Sequence, residues 1–151
     1  MDYLTLGYLG LFIGTFLSAT LLPFTSEGIL VAFFSSNTYE NNFDVFFIIL
    51  IATLGNFLGG VTNYIIGYYA SSEKLIKKFN LNKDKLKKWR KRLNKWGVWL
   101  GLISWLPIVG DPMVAVLGFY KVKIMPLSVL MFIGKLVRYI IIAYFYFMAV
   151  A

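Results

Sequence analysis

The chain has 151 residues, of which 59% are hydrophobic, 19% aromatic and 15% charged, and its mean hydropathy is +0.72. A soluble domain of this length leaves too much surface exposed to hide that much apolar area, so the ordinary soluble globular classes are excluded. There is no Cys and no His, which removes disulfides, thiolate metal sites and imidazole chemistry; the net charge of +8 is concentrated in one stretch.

The N-terminal Met1-Asp2-Tyr3 lacks the positive region of a signal peptide, and no cleavage is expected. Leu4 to Phe34 is apolar but interrupted at Leu22-Pro23-Phe24-Thr25-Ser26-Glu27-Gly28. A Pro inside a helix removes a backbone hydrogen bond and clashes with the preceding turn. Before the interruption, Gly10, Gly14 and Ser18 fall at four-residue spacing, a stripe of small residues that predicts a helix-packing seam. Ser35 to Asp44 is polar, carries two acids and no base, and is expected on the non-cytoplasmic side.

Phe43 to Ala70 predicts a spanning helix, because no charge intervenes between Asp44 and Glu73. Asn56, Gly60, Asn63 and Gly67 lie four, three and four apart, which aligns polar and small side chains on one helical face. That face suits either helix packing through two amides or the lining of a polar pathway. Ser71 to Lys95 is the basic connector, with eleven of the fifteen Lys and Arg residues between Lys74 and Lys95. Flanked by apolar spans, this is a positive-inside signal rather than a nucleic-acid surface. Asn82 predicts an N-cap, and Leu86, Trp89, Leu93 and Trp96 predict one apolar face on an interfacial helix.

Trp96 to Tyr120 is a second broken apolar segment, interrupted at Leu106-Pro107-Ile108-Val109-Gly110-Asp111-Pro112. In both interruptions a carboxylate stands four residues after the Pro, followed by Gly28 or Pro112. Pro23, Gly28, Pro107, Gly110 and Pro112 are therefore the expected re-entrant breaks. Ile124 to Ala151 predicts a second full span, with Lys135 and Arg138 on one face.

Each half is thus a broken segment followed by a span. The predicted fold is an all-α polytopic membrane domain over residues 1–151: repeat 1 over 1–70, the connector over 71–95 and repeat 2 over 96–151. If each broken segment dips in and returns, the halves are inverted repeats, a transporter design with sites near the midplane. This topology keeps Lys121 and Lys123 on the same side as the connector, as the positive-inside rule prefers; a plain four-span topology does not.

Glu27, Asp111, Lys135 and Arg138 lie in apolar segments, and their formal charges sum to zero. A lone charge at the bilayer centre costs about 2.5–3.5 kcal/mol. The expectation is one central site in which the two acids meet the two bases, with Asn56 and Asn63 on the polar face nearby.

These residues resemble the DedA superfamily of VTT-domain (SNARE-associated Golgi) proteins, in its small YqaA-like bacterial branch. The resemblance rests on Leu22-Pro23 with Glu27, on Gly55-Asn56 with Gly60, Tyr64 and Gly67, on the stretch Leu106 to Pro112, and on Gly134-Lys135-Leu136-Val137-Arg138-Tyr139. It implies two re-entrant hairpins meeting from opposite sides, a place in the bacterial inner membrane, and movement of lipids such as undecaprenyl phosphate or phospholipids. Typical members carry Arg-Phe-x-Pro-x-x-Arg at the second break, where this chain has Ser104 and Gly110, and an Arg where it has Tyr68. Lys135 and Arg138 offer positive charge from the following helix instead.

The expected function is lipid transport or scrambling; the alternative is a membrane scaffold or assembly factor without transport. An enzyme is not expected, since Ser26 beside Glu27 has no base partner in the sequence. No metal, cofactor or nucleic acid is expected. Expected partners are membrane lipids, with anionic headgroups at the Lys74–Lys95 connector, and a coupling proton or cation. A Lys121→Cys variant treated with an impermeant maleimide should react only from the cytoplasmic side; reaction from outside contradicts the re-entrant topology.

Overall fold

The computed structural model describes residues 3–20, 26–36, 42–71, 73–106 and 109–150. The described elements are helical: α1 (Tyr3–Thr20), α2 (Ser26–Ser35), α3 (Asn42–Ala70), α4 (Glu73–Lys78), α5 (Lys83–Trp96), a 3-10 turn (Gly97–Trp99), α6 (Leu100–Ile103), α7 (Gly110–Phe119) and α8 (Ile124–Val150). Two of them, over Asp44–Ala70 and Ile124–Val150, are long and apolar enough to cross a membrane.

The expected breaks shift slightly. Pro23 and Pro107 lie outside the described residues. Gly28, Gly110 and Pro112 do not break helices: each stands in the first turn of α2 or α7. That corrects the reading from sequence. A first-turn Pro loses nothing, because its missing N–H would have had no intrahelical partner. The connector also differs from a single helix, being α4 and α5 joined at Asn80.

Two compact units are present, one formed by residues 1–59 with 135–151 and the other by residues 60–134. They do not coincide with the two sequence halves, since both α3 and α8 contribute to each unit.

In the first unit, Leu11, Leu30, Phe34, Ile48, Ala52, Tyr139 and Ala143 form a buried cluster. Phe34 stacks on Tyr146 with ring centroids 5.4 Å apart. The close seam between α1 and α3 uses Gly55 and Gly59: a Cβ on Gly59 would lie 2.6 Å from Ala19 Cβ and 2.7 Å from Phe16 O. On α1 this seam follows Leu11, Thr15 and Ala19, all buried. Gly10 of the expected stripe faces open space, and Gly14 abuts Ile29. The reason is geometric. On α1 the tightest row holds a Thr whose hydroxyl turns back on its own helix, 2.8 Å from Leu11 O, so it takes little room. Leu6, Leu9, Ile13 and Leu17 on α1 are exposed, as are Val137, Ile140, Ile141, Tyr144, Phe145 and Met148 on α8. Apolar stripes of that extent facing outward are what lipid-facing helices present.

In the second unit, Val114, Leu117, Val122, Leu127 and Met131 are buried. Here α3 and α7 touch backbone to backbone: Gly67 faces Ala115 O, and Gly118 faces Tyr64 O, with no space for a Cβ at either glycine. The Tyr64 hydroxyl donates to Val122 O at 2.6 Å, pinning the turn after α7. That turn is a Schellman motif, with Val122 N donating to Leu117 O at 3.1 Å and Lys121 N to Gly118 O at 2.8 Å. The left-handed residue is Lys121 at φ 53°, where glycine is usual and an L side chain costs about 1 kcal/mol or more. Asn80 ends α4 in the same way at φ 52°. Asn82 caps α5 as its sequence predicts, accepting from Asp84 N at 3.0 Å and Lys85 N at 3.1 Å.

Gly67→Ala and Gly118→Ala should each destabilise the protein by about 1–3 kcal/mol, because the new Cβ meets backbone that cannot move aside. Gly10→Ala should be neutral or slightly stabilising. Thermal unfolding in detergent micelles checks all three, and equal midpoints would contradict the backbone contact.

Candidate functional site: a cation pair on α8

Lys135 and Arg138 stand three residues apart on α8 and therefore share a face. Lys135 is fully buried and Arg138 is 6% exposed. Such groups need partners, since an uncompensated charge in apolar surroundings costs several kcal/mol. Lys135 Nζ donates to Asn56 O at 3.1 Å and also, in a very short contact, to Asn56 Oδ1. The Asn56 side chain is fixed from its other end, where Nδ2 donates to Thr15 O at 3.3 Å. Thr15 O also accepts from Ser18 Oγ at 2.8 Å. A line of polar groups thus runs from α1 through α3 to α8, in the one place where α1 and α3 approach most closely.

One turn along α8, Arg138 forms an ion pair with Glu27 through a single guanidinium nitrogen, and the same nitrogen donates to Ser26 Oγ at 3.4 Å. Ser26 Oγ lies 3.5 Å from the other Glu27 oxygen. Glu27 sits in the first turn of α2, where the positive end of the helix dipole favours a carboxylate. The pair is lopsided in exposure. The Arg138 side chain is 7% exposed and that of Glu27 is 30% exposed. The acid covers the base from the open side.

A guanidinium carries five N–H donors. Among the described residues, the hydrogen bonds of Arg138 to Glu27 and Ser26 all leave from Nη2. The remaining donors form no hydrogen bond there, which equips the cation to take a second oxyanion beside Glu27.

Of the six residues expected at the site, Glu27, Asn56, Lys135 and Arg138 come together in the first unit. Asp111 and Asn63 belong to the second unit, both half-buried; Asp111 occupies the first turn of α7, as Glu27 does of α2. Thr15 and Ser26 take part without having been expected. Thr15 works through its carbonyl, which leaves no mark on side-chain patterning. Ser26 had a signal, its place before Glu27; its hydroxyl accepts from Arg138 and donates to Glu27. At the second break, Gly110 lies against Ser104 O with no space for a Cβ, so position 110 could not hold an arginine without a backbone shift.

A double-mutant cycle of Asn56→Leu and Lys135→Met should show a coupling of about 1–3 kcal/mol, because each single change strands the other member of this buried contact. Unfolding measured in detergent checks this, and strictly additive losses would contradict the contact.

Comparison with known proteins identifies the family of the chain. The family model of the VTT domain matches residues 22–148. A Haemophilus influenzae protein described as uncharacterized is 38% identical over 133 residues, covering 86% of this chain and 81% of its own length. The inner membrane protein YqaA of Escherichia coli is 36% identical over 138 residues, covering 91% of this chain and 89% of its own, and YqaA of Shigella flexneri matches equally. No solved structure matches.

Proposed function

The chain belongs to the VTT-domain family, in the YqaA-like branch of the DedA superfamily, and on that footing we propose that it moves a phosphate-bearing lipid across the bacterial inner membrane. One observation carries the reading: a nearly buried Arg138 whose carboxylate partner, Glu27, is the exposed member of the pair. An arriving phosphate oxygen can engage the guanidinium nitrogens that Glu27 does not use, and then compete with Glu27 for the rest.

Lys135 plays a different part in this mechanism. Its ammonium is held by Asn56 inside the helix bundle, so it adds positive potential to the site and orients α8. Asp111 is proposed as the matching carboxylate of the second repeat. The two repeats are proposed to be inverted, each a re-entrant hairpin and a spanning helix, with the connector on the cytoplasmic leaflet attracting anionic headgroups. No enzymatic step is proposed.

In proteoliposomes, Lys135→Ala combined with Arg138→Ala should abolish flux of a phosphate lipid. Glu27→Gln, which keeps a hydrogen-bonding side chain and removes the competing negative charge, should keep flux. Flux unchanged in the double variant would contradict the mechanism and favour a scaffold without transport.

A further inference from the structure

A second cationic site lies within residues 60–134, where the connector meets the ends of α3 and α7. A cleft of about 210 Å³ opens there. Its walls carry Lys83, Lys87 and Arg90 from α5 and Lys121 from the turn after α7, against one carboxylate, Glu73. The α5 cations are spaced four and three, so they share a face of that helix, flanking its Leu86, Trp89, Leu93 and Trp96 stripe. Among the described residues, Lys83, Lys87, Arg90 and Glu73 form no ion pair. The other basic residues of α5, such as Lys88 and Lys91, do not line the cleft.

The fourth cation is placed at a cost. Lys121 occupies a left-handed position that glycine would fill without strain, and Tyr64 holds the turn rigid by its hydrogen bond to Val122 O. Its ammonium lies 4.9 Å from the centroid of the Tyr68 ring, a cation–π contact that directs the side chain along the end of α3. Strain kept at a non-glycine residue points to a use for its side chain. The volume falls below the roughly 300 Å³ at which sites for drug-sized ligands begin, yet four basic residues line it. That suits a small, strongly anionic group. Trp89 and Trp96 on the same helix are 50% and 65% exposed, as aromatic residues at a membrane surface are.

We propose that this cleft binds the phosphate of an anionic lipid headgroup, a site separate from the Arg138–Glu27 pair. It rests on the placement of the connector at the cytoplasmic leaflet, but on no transport step. Fastened there, a lipid would tie α5 to the ends of α3 and α7.

The test uses the full chain in nanodiscs of phosphatidylcholine containing a minor fraction of labelled phosphatidylglycerol, extracted into mild detergent. Retained label is counted per protein. Lys87→Gln with Arg90→Gln should lower retention by about tenfold or more, through loss of two charge-assisted contacts. Lys88→Gln with Lys91→Gln removes the same charge outside the cleft and should change it by less than about twofold. Lys121→Gly should lose retention without losing thermal stability, which separates a binding role from a structural one. Equal losses in the two double variants would reduce the effect to general attraction and overturn the proposal. So would full retention in Lys121→Gly. Soluble glycerol phosphate at millimolar concentration is the second arm: if it displaces no lipid, the lipid source stands, and if it binds while no lipid is retained, the lipid assignment is overturned. Because retention involves no flux, a failed transport assay leaves this result readable on its own.

Discussion

The first compact unit depends on accommodating two cations inside a bundle of apolar helices. Lys135 and Arg138 are three residues apart on α8 and nearly or wholly buried, so the surrounding helices must bring acceptors to them. α3 brings Asn56, and α2 brings Ser26 and Glu27. α1 brings a carbonyl, Thr15 O, that holds Asn56 in place. α1, α2 and α3 therefore each contribute to holding the cations, and the close approach of α1 to Gly55 and Gly59 is what lets the Thr15 carbonyl reach α3. In a lipid environment apolar contacts between helices gain little over contacts with lipid tails, so small-residue seams and buried polar contacts such as these carry much of the specificity of assembly.

Exposure distinguishes the two cations. Lys135 is closed off and held by Asn56. Arg138 meets a carboxylate that is itself partly open, at the first turn of a ten-residue helix. That combination of a buried, many-donor cation and an exchangeable, half-open acid is the chemistry that an oxyanion-carrying substrate requires. The strained Lys121 and its cleft are a different kind of arrangement. They combine an exposed basic helix with a rigid turn, at a place that a headgroup could reach from the membrane surface.

Much of this was legible in the sequence, for identifiable reasons. The two long helices show as apolar runs, one free of charge between Asp44 and Glu73 and the other following Lys123 with only Lys135 and Arg138 inside it, and length decides them. Asn82 as a cap was visible as local chemistry, as was the carboxylate four residues after each Pro; its place in the first turn of a short helix was not. Charge balance brought Glu27 and Arg138 into one expectation although 111 positions separate them. What stayed hidden depends on backbone. The seam on α1 runs through Thr15 and Ala19 rather than Gly10, because a threonine folded back on its helix packs like a small residue. The positions of Gly28 and Pro112 inside helices reflect the tolerance of a first helical turn, which residue type alone does not reveal. Lys121 in a left-handed conformation has no sequence signature at all.

The central claim is that Arg138 receives a lipid phosphate. The chain has three arginines, Arg90, Arg92 and Arg138, so Arg90→Lys with Arg92→Lys leaves one guanidinium to observe. Solid-state nuclear magnetic resonance in bilayers can then measure dipolar coupling between the labelled guanidinium nitrogens of Arg138 and lipid phosphorus. The account predicts a coupling as strong as direct hydrogen bonding requires, growing when Glu27→Gln removes the competing carboxylate. No coupling in either protein would contradict it.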